Sequence, residues 1–344
     1  MKKLSISLSA AAALLCSACV GNAGQDDGSM LLTVNLDEAK PLAEHIVAQD
    51  VRALSQTDSL FYGEASICSI VSDTVFILDA YKNKGLYAYT LSGERLWCYD
   101  KMGQGPEEFV MLYDFQVLPD RVVALDLMAN KLITLGRDGR FMGSEALSGV
   151  EYPWSFAVGE GGAMWYDLGN RAKNPERLVC VSDTAVTTVL TVPDGLGGIN
   201  ASAWQPLYTV GGDCSKVRYM PSFENVLYRC SDAKATPYIT LDFGDKWPGR
   251  DVFESSGKAS MVVKQIESDG YVIYLNAIED AGYVAFWFKA NVDRSYMLIV
   301  DKTNGRSVLY DFTGYDFDRL YALYDGKLFF PGENEFTLLT VDMP

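Results

Sequence analysis

Histidine is almost missing from this chain: His45 is the only one in 344 residues. That excludes metal sites built from several imidazoles and leaves most histidine-dependent catalysis resting on one residue. Basic residues are also short, 29 Lys+Arg against 45 Asp+Glu, for a formal charge of −16. A surface so acidic repels phosphate backbones and anionic headgroups, so no nucleic-acid partner is expected. No apolar run approaches the roughly 20 residues that a helix needs to cross a bilayer. There is no C-x-x-C pair, which excludes zinc ribbons and thioredoxin-type motifs. There is no G-x-S-x-G, so His45 has no serine in a strained turn to activate, and its segment reads as a closure strand or a short helix on the rim. At 49% hydrophobic and 22% charged, the composition is that of a globular protein, long enough for one large all-β domain or two smaller domains.

The N-terminus reads as an address. Lys2 and Lys3 precede an apolar stretch of 12 residues, Leu4 to Leu15, too short for a span and suited to a secretory signal. Ser17-Ala18-Cys19 resembles a bacterial lipobox, where the cysteine is acylated and the chain is cut just before it; Cys16 stands where leucine is usual. This predicts a signal peptide over 1–18, a lipidated flexible tether over 19–29, Cys19 as the lipidation site, and attachment to the membrane through that lipid. The alternative is a plain signal peptide cut nearby, with Cys19 left as a free thiol. Asp26-Asp27 is faintly similar to the signals that route lipoproteins to the outer leaflet; surface-facing and periplasm-facing positions in the outer membrane both stay open. Loss of Lys2 and Lys3 with the leader takes the charge from −16 to −18, so acyl chains rather than charge would hold the protein there. Five cysteines remain, an odd number, and unpaired thiols are expected for most of them.

Beyond residue 30, short runs of Val, Ile, Leu, Tyr and Phe are broken by Gly, Asp, Asn and Pro every 6–12 residues, the pattern of an all-β chain. Residues 73–93 match residues 120–139. In the first, Val75-Phe76-Ile77-Leu78-Asp79 leads through a polar loop to Leu86-Tyr87-Ala88-Tyr89 and a turn at Ser92-Gly93. In the second, Val122-Val123-Ala124-Leu125-Asp126 leads to Leu132-Ile133-Thr134-Leu135 and a turn at Asp138-Gly139. Their offset of 46–47 residues is that of propeller blades. Weaker copies cover 154–191, 207–243, 271–312 and 319–341. The sixth has three strands of its own, and Leu31–Leu36 is the expected fourth. The reading is a six-bladed β-propeller over 30–344, closed by an N-terminal strand.

Between the first two blades lies Gly103-Gln104-Gly105-Pro106-Glu107-Glu108-Phe109. With the Leu91-Ser92-Gly93-Glu94 turn before it and the Asp126 strand end after it, this segment resembles the six-bladed β-propeller lipoproteins of anaerobic Gram-negative bacteria, relatives of the NHL and TolB-like propellers. The resemblance is specific over about 30–145 and architectural beyond. It implies fold and compartment, not a reaction. The segment lacks the third glycine and following helix of a dinucleotide fingerprint. Its expected role is structural: Gly103 and Gly105 for backbone freedom, Pro106 to fix one φ, and Glu108 to accept backbone hydrogen bonds, with a ligand contact as the alternative. Asp316-Phe317-Asp318 and Glu333-Asn334-Glu335 lack calcium-loop spacing and read as solvated loops. No cofactor or metal is expected.

In a propeller, the loops joining strands two and three open on the same face as the blade-to-blade crossings. The first set, placed at 80–84, 127–131, 168–177, 220–225, 289–294 and 331–335, holds eight bases against five acids in a chain where acids dominate. Arg171, Arg177 and Arg294 with Trp154, Trp204 and Tyr208 are therefore the candidate ligand-binding residues, suited to an acidic sugar or a peptide carboxylate. A binding or interaction module for a glycan, a peptide or a partner envelope protein is the expected function. The alternative is a carbohydrate-active lyase or glycosidase working through carboxylates and Tyr on the same face. Two carboxylates in a deep polar pocket would favour the enzyme, and an aromatic face would favour binding.

Overall fold

The computed structural model describes residues 29–55, 62–182, 185–200, 205–254, 259–315 and 319–344. Six sheets form a six-bladed β-propeller. Their inner strands are Ile67–Val71, Leu112–Val117, Ser155–Val158, Leu207–Thr209, Ile273–Glu279 and Ala322–Tyr324, for blades one to six. Within a blade each strand pairs antiparallel with the next, as Thr74–Asp79 does with Gly85–Thr90. Middle strands are packed on both faces, so they read as continuous apolar runs rather than alternating ones. Val75, Phe76, Ile77 and Leu78 all have no measurable exposure.

Each blade-to-blade junction has its own apolar cluster. Phe76 and Phe115 meet between blades one and two, Phe156 lies between two and three, and Trp165 with Tyr219 between three and four. Phe286 and Phe288 fill the next junction, Met297 and Phe330 the fifth, and Phe329 and Tyr87 the sixth. Each buried aromatic contributes about 1.5–3 kcal/mol over its exposed state.

The ring closes through a different N-terminal segment from the one expected. Ile46–Ala53 is the outer strand of blade six, antiparallel to Glu335–Val341, with Ala48 opposite Thr340 and Val51 opposite Thr337. Met30–Thr33 instead lies parallel to Lys234–Asp242 as a fifth strand of blade four. Lys40–Pro41 does the same on blade five. Residues 30–53 thus run along the outside of three successive blades. An outermost strand faces solvent, so the closing segment carries Gln49, Asp50 and Arg52 and shows little apolar period. Leu31–Leu36 looked more like a strand because it covers a core.

A short helical insertion, Arg250–Glu254 and Ala259–Ser268, separates blades four and five. No helix was expected in this stretch. Val252, Phe253, Val262 and Ile266 pack on Leu196 and Ile199 of the preceding crossing. Among the described residues no helix is long and apolar enough to cross a membrane.

Candidate functional site

An aspartate ends the second strand in each of the first three blades, and it organises the loop face. Asp79 is buried and accepts the backbone N–H groups of Gly63, Glu64, Tyr81, Lys82 and Asn83 at 2.7–3.1 Å. Asp126 accepts those of Val110, Met111 and Ala129. Both tie the strand turn of one blade to the crossing that enters it. Burial raises the Asp79 pKa, but the N–H groups of Asn83, Lys82, Gly63 and Glu64 outweigh it and hold the carboxyl below its ordinary value. In blade three the same position, Asp167, takes the Tyr219 hydroxyl at 2.7 Å and lines a cavity.

That cavity is a vestibule on the loop face. Tyr81 comes from the turn of blade one, Tyr113 from the start of the inner strand of blade two, and Trp154 from the crossing into blade three. Trp154 is 44% exposed and Tyr81 46%. The Tyr113 and Trp154 rings meet edge to face, with centroids 5.9 Å apart. Burial and the neighbouring Tyr81 push the Tyr113 hydroxyl up, so it stays protonated. Asn200, Gln205, Ser222 and Asp167 supply polar atoms. Gly169 sits at φ +64°, and a Cβ there would lie 3.0 Å from the Trp154 ring and from the Asn200 side-chain oxygen. Only glycine lets the indole settle in this place.

A second cavity runs down the central channel between the inner strands of blades one, two, four, five and six. Gln205 lines both cavities. Its amide nitrogen donates to Asp114 at 3.0 Å and to the Phe115 carbonyl at 2.8 Å. The inner strands of blades two and four meet beside the short one of blade three, and Gln116 crosses between them to the Leu207 carbonyl and the Thr209 N–H, both at 3.2 Å. Lower in the channel, the buried Glu279 carboxylate accepts Arg218 Nε at 2.7 Å and Lys302 Nζ at 2.6 Å.

The three candidate arginines do not converge. Arg171 donates to the carbonyls of Leu168, Glu151 and Tyr152 and pins the blade-three turn to its crossing. Arg177 is 1% exposed; it pairs with Glu224 at 2.5 Å and with the Ser222 carbonyl. Arg294 belongs to blade five, paired with Asp311 and lying over Tyr296. Of the aromatics, Trp154 stands in the vestibule, and Tyr208 lies on the inner strand of blade four, in the channel. Trp204, Cys19 and Asp316-Phe317-Asp318 lie outside the described residues. His45 bonds Asp342 at 3.0 Å beside the closing strand. Tyr81, Tyr113 and Asn200 were missed. Tyr81 was in the loop set but was weighed there for charge alone.

The Gly103–Phe109 segment folds on itself. Glu108 accepts the Gly105 N–H at 2.7 Å, Lys131 donates to the Glu108 carbonyl at 2.7 Å, and the Ser144 hydroxyl bonds the Pro106 carbonyl at 3.1 Å. Gly103 adopts φ +156°, and a Cβ there would overlap the Glu108 carboxylate. Cys68, Cys98, Cys180, Cys214 and Cys230 are free thiols. Among the described residues no group of three or more His, Cys, Asp or Glu is placed to hold a metal.

A profile of 6-bladed beta-propellers matches residues 27–326. The chain belongs to the DUF5128 family. This propeller is similar to an exported protein of Bacteroides fragilis, with a TM-score of 0.75 at 15% identity, covering 91% of this chain and 99% of that one. It is also similar to a DUF4221 family member of Bacteroides vulgatus, with a TM-score of 0.62 at 9% identity, covering 87% and 97%. No curated protein matches the sequence. At such identities the likeness is one of fold.

Proposed function

We propose that this DUF5128 propeller is an exported binding module of the bacterial envelope, held by a lipid on Cys19, that receives a neutral saccharide in its vestibule. One observation carries the reading: Tyr81, Tyr113 and Trp154 gather at a cavity whose two charged groups, Arg177 and Asp167, are engaged by Glu224 and by the Tyr219 hydroxyl. Sugar rings present an apolar C–H face to aromatic rings and a rim of hydroxyls to amides and hydroxyls. Asn200, Gln205 and Ser222 line the cavity beside the rings and match that rim. A carboxylate ligand fits less well here, because both terminal nitrogens of Arg177 are already bound to Glu224 and Ser222, leaving only its buried Nε without a partner. The leader sequence, and the description of the Bacteroides fragilis protein as exported, support the location.

A thermal-shift panel of neutral oligosaccharides, uronates and short peptides tests the ligand. A neutral saccharide should raise the Tm of the wild type and not that of Trp154→Ala. Stabilisation by peptides alone, or equal stabilisation of both proteins, would overturn the assignment. Labelling cells with radioactive palmitate tests the anchor: the wild type should incorporate label and Cys19→Ala should not.

A further inference from the structure

We infer that the central channel is a second binding site, adjoining the vestibule at Ser66, Ile67 and Gln205, that takes a small oxyanion, a carboxylate or a phosphate group, on the Tyr208 hydroxyl and beside the cations around Glu279. Tyr208 is 9% exposed and lines the channel, and its hydroxyl has no hydrogen-bond partner among the described residues. A buried hydroxyl without a partner costs stability, and folded proteins retain few such groups. Tyr208 sits directly opposite Arg218 on the neighbouring strand, so both side chains lie on the face of blade four that meets Glu279 of blade five.

The local charge has the opposite sign to the whole chain. Glu279 carries one negative charge and is bound by two cations, Arg218 and Lys302. Arg319 also lines the channel; its guanidinium is 4.5 Å from the Tyr321 ring centroid, and it donates to the carbonyls of Ala65 and Ser66. Among the described residues lining the channel Glu279 is the one carboxylate and Arg319 the one cation; Arg218 and Lys302 bind Glu279 without lining the channel themselves. Asp114 lies nearby but faces the junction of blades two, three and four, held by Ser155, Gln205, Phe115 and Phe156. With the Glu279 charge met by Arg218 and Lys302, the lining cation Arg319 gives the recess its sign, and a recess walled by protein concentrates anions even in a molecule of charge −16. Burial raises the Tyr208 pKa well above its ordinary value, so the group stays an O–H donor at any physiological pH.

Isothermal titration of the full chain with inorganic phosphate, with glucuronate and with glucose tests this. Phosphate, glucuronate or both should bind more tightly than glucose, and added NaCl should weaken that binding. Tyr208→Phe removes one oxygen that has no partner, so its Tm should equal or exceed the wild type while anion affinity falls about tenfold. Lys302→Gln should also weaken the anion. Neither anion binding at millimolar concentration, or Tyr208→Phe folding normally and binding both anions as tightly as the wild type, would overturn the inference; the second result would mean that water alone serves the hydroxyl. Failure here is distinguishable from failure of the vestibule reading, since Trp154→Ala is read with neutral saccharides and Tyr208→Phe with phosphate.

Discussion

Replacing Glu279 with alanine should be among the most damaging single changes in the molecule. Its side chain is wholly buried and holds Arg218 through Nε at 2.7 Å and Nη2 at 3.2 Å, and Lys302 at 2.6 Å. Lys302 can recover, because it keeps the Asp280 carbonyl at 2.9 Å and its side chain is 21% exposed. Arg218 cannot. It keeps the Val217 carbonyl and the face of Tyr238, with no carboxylate and little water. Breaking one side of a buried pair costs about 3–5 kcal/mol, which for a chain of this size lowers Tm by roughly 4–7 °C. Urea unfolding with calorimetry measures both. Arg218→Met combined with Glu279→Leu removes the stranded charge, so the double variant should recover to within about 1–2 kcal/mol of the wild type. A loss under about 1 kcal/mol for Glu279→Ala would show that water already reaches the pair, and the buried-charge reasoning would fail.

Other expectations follow from single contacts. Asp79→Asn should cost about 2–3 kcal/mol at pH 7 by degrading a five-donor acceptor. Because the folded carboxyl lies below its ordinary value, its contribution is present above the unfolded pKa of about 3.9 and is lost as pH falls through the folded value, so acid unfolding curves of wild type and variant should converge. Ala48→Cys with Thr340→Cys should form a disulfide, since directly opposed antiparallel residues lie about 4.5–5.5 Å apart. Leu32→Cys with Thr340→Cys should not, and peptide mapping without reductant reads both. Gly169→Ala should displace the Trp154 ring and weaken saccharide binding at least as much as it lowers Tm.

Much of the fold was legible because its repeat is written in core residues. Val75 to Asp79 and Val122 to Asp126 mark the same strand twice, and the terminal aspartate recurs because each turn needs an acceptor for its N–H groups. Closure was misplaced because an outer strand has no core face to betray it, while Leu32 and Val34 do bury themselves, on blade four. The helical insertion escaped notice because each of its short helices buries only two apolar residues, Val252 and Phe253 on the first, Val262 and Ile266 on the second. Charge in the loops was visible, but its partners were not. Arg177 meets Glu224 across 47 positions of sequence and Arg294 meets Asp311 across 17, so residues that looked available for a ligand serve the scaffold. The aromatic vestibule is assembled from three different blades, which no local pattern announces.

The most direct test is calorimetric titration of the purified chain with the neutral saccharide that gives the largest thermal shift, repeated on Trp154→Ala and Tyr113→Ala. Binding by the wild type, with affinity reduced at least tenfold in both variants while their unfolding stays cooperative, is the result predicted by a saccharide seat in the vestibule. Undiminished affinity in both variants would contradict it.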